Sequence, residues 1–253
     1  MRQELDGELI EDVENALWTR EVVTKCRVEM GDGMGTATFP RGGDQSGDGL
    51  RKSDCPPARD GMGTVTFPPG GDRSGEGVRK SNCPLSLSRV VVGVDPPASA
   101  GGNACGIVVC GLGADGIGYV LEDRSVGGLS PEGWARAVVR AATIWEAERV
   151  VVETNQGGEM VESVLGSIDS ALPVRPVRAR YGKGRRAEPV SALFAQGKAM
   201  FAGVFPELED ELCGMTATGY EGTGRSPDRA DAMVWAMAEL LLGRDRTPRV
   251  RRL

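Results

Sequence analysis

Three carboxylates stand at or near the ends of apolar segments between residues 89 and 236. Asp95 closes the apolar run 89–95, and Glu153 closes the run 150–153. Asp231 lies one turn into a helix-like stretch over residues 226–236. Carboxylates placed in this way repel one another unless a cation joins them. The pattern therefore indicates a function as well as a fold.

A duplicated segment in the first half has a different texture. Residues 32–56 recur as residues 60–84, a period of 28 residues. Each copy is rich in Gly, Asp and Ser and holds one Phe, which is too little apolar surface to offset its ordering entropy. We predict that residues 31–85 are a flexible, duplicated, low-complexity insertion. A calcium-binding Gly/Asp repeat is the alternative, but the tight nine-residue period of such repeats is missing.

Composition excludes several classes of protein. The chain has no histidine, so Ser-His-Asp triads, Cys-His pairs and histidine metal sites are excluded. Its six cysteines include no C-x-x-C, which favours reduced thiols over a zinc site. There is no apolar run near 18 residues and no signal-peptide core, so we expect a soluble intracellular protein without a membrane segment. A net charge of −6 argues weakly against a protein that coats nucleic acid.

From residue 86 the sequence alternates short apolar runs with helix-period stretches, which is typical of an α/β domain. The turn-like residues 111–116 separate two of the predicted strands. We predict strands at about 89–94, 106–111, 117–122, 149–153 and 173–179, and helices at about 131–147, 158–169, 187–197 and 227–242. This order predicts an RNase H-like mixed sheet flanked by helices over residues 86–243, with a basic tail at 244–253.

The predicted order of strands would bring the acids together. The strands that end at Asp95 and Glu153 would be parallel neighbours, so both side chains would emerge at one sheet edge, where the last helix would add Asp231. Such ligands suit Mg²⁺ or Mn²⁺. Two of these ions roughly 3.5–4 Å apart can activate a water and stabilise the leaving 3′ oxygen in phosphodiester hydrolysis. We therefore predict Asp95, Glu153 and Asp231 as catalytic metal ligands and Asp228 as an auxiliary ligand.

Each acid also has an ordinary structural explanation. Asp95 precedes two prolines and could simply end a strand in a turn, and Glu153 could cap the next helix. Asp228 in a first helical turn complements the helix dipole. Asp231 lies deeper, at the border of the apolar face, where an unpaired acid is costly. The conjunction of the acids at matched strand ends favours the metal site.

A basic run over residues 175–186 is the predicted substrate contact. It surrounds Gly182-Lys183-Gly184, holds no acid, and suits a loop that grips phosphates. A solvated basic loop is the alternative. Residues 155–158 could offer backbone N–H groups to a phosphate at a helix start. The substrate-binding candidates are Asn155, Lys183, Arg185 and Arg186, whereas the basic tail is assigned no role beyond nonspecific contact.

Taken as a set, these residues resemble the C-terminal nuclease half of phage terminase large subunits, which are DNA-packaging motors. The resemblance covers residues 1–28 and 86–243 and is specific only as a set. The segments that carry it are Gly7–Ile10 with Ala16–Arg20, VVVGVDPPAS (90–99), VVVETNQGG (150–158), RRAEPVSALFAQGKAMFAG (185–203), FPELEDEL (205–212) and SPDRADAMVWA (226–236).

The resemblance implies an RNase H-like, Mg²⁺- or Mn²⁺-dependent endonuclease that cuts concatemeric double-stranded phage DNA. It implies work beside a portal protein and a small terminase subunit, in the cytoplasm of a bacterial host, from a phage or prophage gene. Asp95, Glu153 and Asp231 fall where that family carries its acidic metal ligands.

Two departures from the family accompany this resemblance. The chain has no G-x-x-x-x-G-K-[ST] phosphate loop, so we expect residues 1–30 to be a residual linker and the ATPase half to be a separate partner. The duplicated insertion lies where a short connection is expected.

Two other functions remain as alternatives to a terminase endonuclease. One is another RNase H-like nuclease such as a junction resolvase, and the other is a non-catalytic terminase remnant that binds DNA or the portal.

Overall fold

The computed structural model describes residues 13–28, 86–97, 104–155, 158–223 and 226–243, together with the backbone of two short strands. These strands, β1 (Thr36–Ala37) and β2 (Val65–Thr66), pair antiparallel, with Thr36 opposite Thr66. They join the two copies of the duplicated unit. The rest of the insertion predicted at 31–85 and the basic tail predicted at 244–253 lie outside the described residues.

Six strands and six helices make up the described remainder of the domain. The strands are β3 (Leu87–Asp95), β4 (Gly106–Gly113), β5 (Gly118–Asp123), β6 (Arg149–Glu153), β7 (Val174–Val177) and β8 (Ala199–Phe201). The helices are α1 (Arg20–Lys25), α2 (Pro131–Ile144), α3 (Gly158–Ile168), α4 (Lys183–Ala195), α5 (Pro206–Cys213) and α6 (Asp228–Met237), and α6 continues as a π-helical turn over Ala238–Leu242.

The sheet is mixed, with the strand order β7-β6-β3-β4-β5-β8. Strands β3, β4 and β5 form an antiparallel meander, whereas β6 runs parallel to β3 and β7 parallel to β6. The predicted turn at 111–116 is present, with Gly116 at a φ of 81°. Strand β8 pairs parallel with β5 at the edge and, like α1 and α5, had no counterpart in the sequence prediction.

Because side chains alternate along a strand, each face of the sheet packs on different helices. Val92 and Val94 of β3 belong to one core cluster, which includes Trp134 of α2 and Leu165 of α3. Val91 belongs to the other cluster, on the face that α4, α5 and α6 cover. The domain therefore has helices on both sides of the sheet, as predicted. Among the described residues, no helix is long and apolar enough to cross a membrane.

Two glycines allow α6 to lie directly on the sheet. A Cβ added to Gly93 would lie 1.9 Å from the carbonyl oxygen of Ala232, and one added to Gly106 would lie 1.9 Å from that of Asp228. No side chain fits in these gaps, so the helix backbone rests on β3 and β4. This close approach brings the first turn of α6 to the end of β3.

Residues 13–28 pack on the same face as α6. Trp18 is fully buried and contacts Phe194 edge-on, with 5.9 Å between ring centroids. The Leu17 N–H donates to the Met215 carbonyl at 2.7 Å, and Arg27 pairs with Glu209 at 2.5 Å. Within the segment predicted as a linker (1–30), these residues therefore contribute to the core of the domain.

The start of α4 corrects one element of the sequence prediction. The helix begins at Lys183, four residues before the predicted start at 187, so Lys183, Arg185 and Arg186 lie on a helix and not in a loop. The reason is close packing at Gly184, where an added Cβ would lie 2.3–2.4 Å from the carbonyl oxygens of Ala217 and Thr216. The contact fixes the backbone at the point where the basic run becomes helical.

Substitution of Gly93 tests the role of the close approach. Gly93→Ala should destabilise the protein by about 1–3 kcal/mol or more, because the added methyl overlaps the Ala232 carbonyl and pushes α6 away. Gly166→Ala is the matched control, because this exposed glycine of α3 has open space at its Cβ and alanine favours a helix by up to about 1 kcal/mol. Chemical denaturation measures both, and equal stability of the two variants would contradict the packing argument.

Candidate functional site

The predicted acids come together at one edge of the sheet. The parallel register pairs Val94 of β3 with Val152 of β6, so Asp95 and Glu153 follow side by side and project to the face that α6 covers. The first turn of α6 adds Asp228 and Asp231, which are both buried. The structure therefore juxtaposes the acids that the sequence selected.

Asp95 shows the electrostatic character of this edge. Its side chain is partly exposed, but burial and then the negative charges of Asp231 and Glu153 hold its pKa well above the usual value. Asp228 adds to this effect, whereas the Lys183 ammonium opposes it. Burial also raises the pKa of Asp228 itself. The cluster resists carrying all of its negative charge, which is the condition that a bound cation would relieve.

Arg186 of α4 bridges two of the acids. One guanidinium nitrogen, Nη1, donates to Glu153 Oε2 at 3.0 Å, and the other, Nη2, donates to Asp231 Oδ1 at 2.7 Å. The guanidinium also lies over the Trp235 ring, 4.7 Å from its centroid. Only 9% of the Arg186 side chain is exposed, so these contacts operate where water screens them poorly.

Lys183 lies one turn before Arg186 and faces the same acid. Its ammonium pairs with Asp231 Oδ2 and donates to the Ser226 hydroxyl at 3.0 Å. Burial lowers the pKa of Lys183, but the charge of Asp231, its hydrogen bond to the ammonium, and the charges of Asp95 and Asp228 together outweigh burial, and the net shift is upward. Both oxygens of Asp231 are thus matched to basic groups.

Glu153 is held from two further directions. The Trp235 indole N–H donates to its Oε2 atom at 2.7 Å, and the Asn155 amide donates to its Oε1 atom at 2.6 Å. The amide oxygen of Asn155 accepts from the Ala179 N–H at 2.8 Å. Asn155, predicted as a substrate contact, therefore fixes the orientation of an acid in this structure.

The acidic side chains of this site have the right chemistry for a divalent cation, but their present positions do not form a site for one. All four acidic side chains supply hard oxygen donors, the type that Mg²⁺ and Mn²⁺ prefer. As they are placed, no three acidic or thiol groups among the described residues lie close enough to hold one ion. The two groups that lie among the acids, Lys183 and Arg186, are on long, flexible side chains. Binding of an ion by these acids would therefore require these side chains to move.

Glu211 of α5 caps the helix that carries two of the acids. Its Oε2 atom accepts from the backbone N–H groups of Arg229 at 2.8 Å and Ala230 at 3.0 Å, and Pro227 at the cap position offers no side-chain acceptor. Arg229 also pairs with Glu211 and with Asp123 of β5. Glu211 thus fixes the start of α6, a role that its place in the sequence did not signal.

The basic run divides between the interior and the surface. Lys183 and Arg186 point to the acids, whereas Arg185 is exposed and lies 5.7 Å from the ring of Tyr181, itself 63% exposed. Arg178 and Arg180 are exposed on the preceding segment. The sequence analysis did not predict this division. The available signal was the spacing of three between Lys183 and Arg186, since residues three apart share one helix face. The contact of Trp235 with the acids was also missed.

Much of the chain matches the model of a known protein family. The family model is described as "Terminase RNaseH-like domain" and matches residues 92–240, more than half of the chain. This match, together with the mixed six-stranded sheet, confirms the predicted RNase H-like fold. No curated protein matches the chain.

Solved structures give weaker similarities. The large terminase nuclease from thermophilic phage G20c is 16% identical, with 60% of this chain and 82% of that chain covered and a TM-score of 0.48. A structure of that nuclease with bound magnesium is 15% identical, with coverages of 61% and 84% and the same TM-score. The large terminase from the thermophilic bacteriophage D6E is 11% identical; the match covers 63% of this chain and 41% of that chain, with a TM-score of 0.48.

The repulsion at Asp95 can be tested through stability in EDTA. Asp95→Asn should raise the free energy of unfolding by about 1 kcal/mol, or about 2–4 °C in Tm, because it removes a charge that burial and then three neighbouring acids disfavour. Glu153→Gln should have the opposite effect, because it takes one charged partner from Arg186. Thermal unfolding measures both, and a lower Tm for Asp95→Asn would show that the acids do not repel in the folded state.

Proposed function

Because the chain belongs to the terminase RNaseH-like domain family, we propose that it is a divalent-metal-dependent endonuclease that cuts double-stranded DNA. The observation that carries this proposal is the convergence of Asp95, Glu153 and Asp231 at one sheet edge, within the region that the family model matches. The family supplies the class of hydrolase, and the acids supply the chemistry.

We assign Asp95, Glu153 and Asp231 as the ligands of Mg²⁺ or Mn²⁺, with Asp228 as an auxiliary ligand and two ions as the full complement. These acids would hold the ions, whose chemistry when bound would be to activate a water and to stabilise the leaving 3′ oxygen of a phosphodiester. The acids contribute hard donor oxygens and the negative potential that attracts cations. This chemistry needs no histidine, and the chain has none.

Neighbouring residues hold the acids in position. Trp235 and Asn155 fix the two oxygens of Glu153, which restricts its side-chain rotation before any ligand arrives. Glu211 fixes the start of α6 and so the depth at which Asp231 enters the site. Precise placement of reactive groups is a large part of what a protein contributes to catalysis. These three residues are positioning residues in this function.

The exposed basic surface next to the acids is the proposed DNA contact. Arg178, Arg180 and Arg185 can neutralise phosphates, and the exposed Tyr181 offers a flat aromatic surface beside them. Lys183 and Arg186 contact the acids and lie on the same helix as Arg185, so a phosphate that approached the acids from this surface would meet them. The predicted substrate set therefore divides into outer contacts and contacts at the acids.

In phage DNA packaging, the nuclease would cut concatemeric DNA beside a portal protein and a small terminase subunit in the host cytoplasm. The ATPase that drives packaging would lie outside this sequence, which has no phosphate loop. A non-catalytic DNA-binding role is the second candidate function. The ion pairs that engage Glu153 and Asp231 favour it, because they satisfy the acids without a metal ion.

Alanine substitutions test the catalytic assignment. Asp95→Ala, Glu153→Ala and Asp231→Ala should each lower Mn²⁺-dependent cleavage of supercoiled plasmid by about 100-fold or more, because each removes a charged ligand. Glu162→Ala, which removes an exposed carboxylate of α3, is the matched control and should cleave like the parent chain. Circular dichroism establishes that each variant is folded.

The outcomes of this experiment separate the candidates. Cleavage by the parent chain that survives in all three folded variants would refute the metal-site assignment. No cleavage by the parent chain, together with salt-sensitive DNA binding, would support the non-catalytic role. A marked preference for branched junctions over linear duplex DNA would support a resolvase.

Replacement of the outer arginines tests the DNA surface. Arg180→Ala and Arg185→Ala should weaken binding to a short duplex in EDTA and together reduce the slope of log affinity against log salt by about 1–2, because each arginine displaces counterions from phosphates. Arg140→Ala, an exposed change on α2 across the sheet, is the control. Fluorescence anisotropy at several salt concentrations provides the measurement, and an unchanged slope would place the DNA elsewhere.

A further inference from the structure

We infer that Arg186 is a positioning residue that acts as a stand-in for the divalent cation, holding Glu153 and Asp231 together until the ion replaces it. The inference rests on the proposed metal-dependent function. In this role, one guanidinium organises the acids before an ion binds and then competes with that ion. Arg186 would then be displaced from the acids as the ion enters.

The contacts of the acids show what an entering ion must displace. Arg186 engages Glu153 Oε2 and Asp231 Oδ1, and Lys183 engages Asp231 Oδ2. Glu153 Oε1 accepts from Asn155. Every carboxylate oxygen of these two acids thus has a donor or a cationic partner in the described structure. Among the described residues, only Arg186 contacts both acids, so a cation held by the two would compete with it for the same oxygens.

The guanidinium is held by contacts that permit its release. Its Nη atoms bond to the acids and its plane lies over Trp235, but the buried Nε atom has no hydrogen-bond partner among the described residues. A buried donor without a partner is destabilising, so the hydrogen-bonding capacity of the guanidinium is not fully satisfied in this position. An ion with a higher charge density can therefore compete for the same oxygens.

Competition predicts an unusual effect of removing the arginine. Loss of one partner from a buried ion pair is ordinarily destabilising, because it leaves uncompensated charge. Here the uncompensated oxygens are the ion's own ligands, so the same change should strengthen ion binding. A merely structural arginine would instead support the site, and its loss would weaken ion binding along with stability.

Mn²⁺ affinity without DNA is the deciding measurement. Arg186→Met should bind Mn²⁺ about tenfold more tightly than the parent chain, measured by calorimetry and by the EPR signal of free Mn²⁺. Arg185→Met is the matched control, since it removes the same charge from the next position on α4 without touching the acids, and its affinity should stay within about twofold. Arg186→Lys keeps the charge but not the two-pronged contact and should bind about threefold more tightly.

Two further readouts accompany this affinity. Arg186→Met should melt below the parent chain in EDTA and show the larger rise in Tm with Mn²⁺, because the ion restores the missing compensation. Titration of the parent chain with Mg²⁺ should change the Trp235 fluorescence as the guanidinium leaves its ring. Trp235→Phe identifies the part of the signal that comes from this residue.

The results distinguish failure of the inference from failure of the proposed function. Equal or weaker Mn²⁺ binding by folded Arg186→Met would overturn the stand-in role and leave the metal site intact. If Arg186→Met does not fold, equal or weaker binding by Arg186→Lys would overturn it in the same way. Absence of Mn²⁺ binding in every protein, the parent chain included, would overturn both.

Discussion

The close contact between α6 and the sheet is the constraint on which the site depends. Gly93 and Gly106 leave no room for a side chain, so the helix backbone lies against β3 and β4. If the helix were displaced by the width of a methyl group, Asp231 would withdraw from Asp95 and Glu153. Two residues without side chains thus determine where three carboxylates meet. Packing and chemistry are inseparable at this edge, because the residues that bury the helix also place its acids.

Burial of these acids creates an electrostatic problem that α4 solves. Asp231 is almost fully buried, and an isolated buried carboxylate costs far more than the net stability of a domain allows. Lys183 and Arg186 reach it from one face of α4, while Glu153 shares Arg186. Burial, and then the charges of Asp231 and Glu153, hold the pKa of Asp95 well above its usual value. The cluster therefore keeps negative charge that would attract the cations of the proposed function.

The sequence predicted what depends on local pattern. Apolar runs located the central strands, and their parallel neighbours followed from the order of elements, so Asp95 and Glu153 could be placed at one edge. The three-residue strand β8 is too short to show a period, and Trp18 joins the core through contacts with residues distant in sequence. The basic run was predicted as a loop because its Gly and basic residues do not indicate where a helix begins. The start of α4 depends instead on the contact of Gly184 with Thr216 and Ala217. Such long-range contacts leave no local signal.

The position of Arg186 links the two requirements of a nuclease site. A site for cations must be acidic, yet its substrate is a polyanion that acidic residues repel. A guanidinium that balances the acids in the absence of an ion, and then becomes available beside the exposed Arg185, meets both requirements with one side chain. Its length allows it to reach either partner from the same backbone position on α4. In the proposed role, Arg186 would turn to a phosphate only after an ion had taken its place, because the acids attract the guanidinium until then.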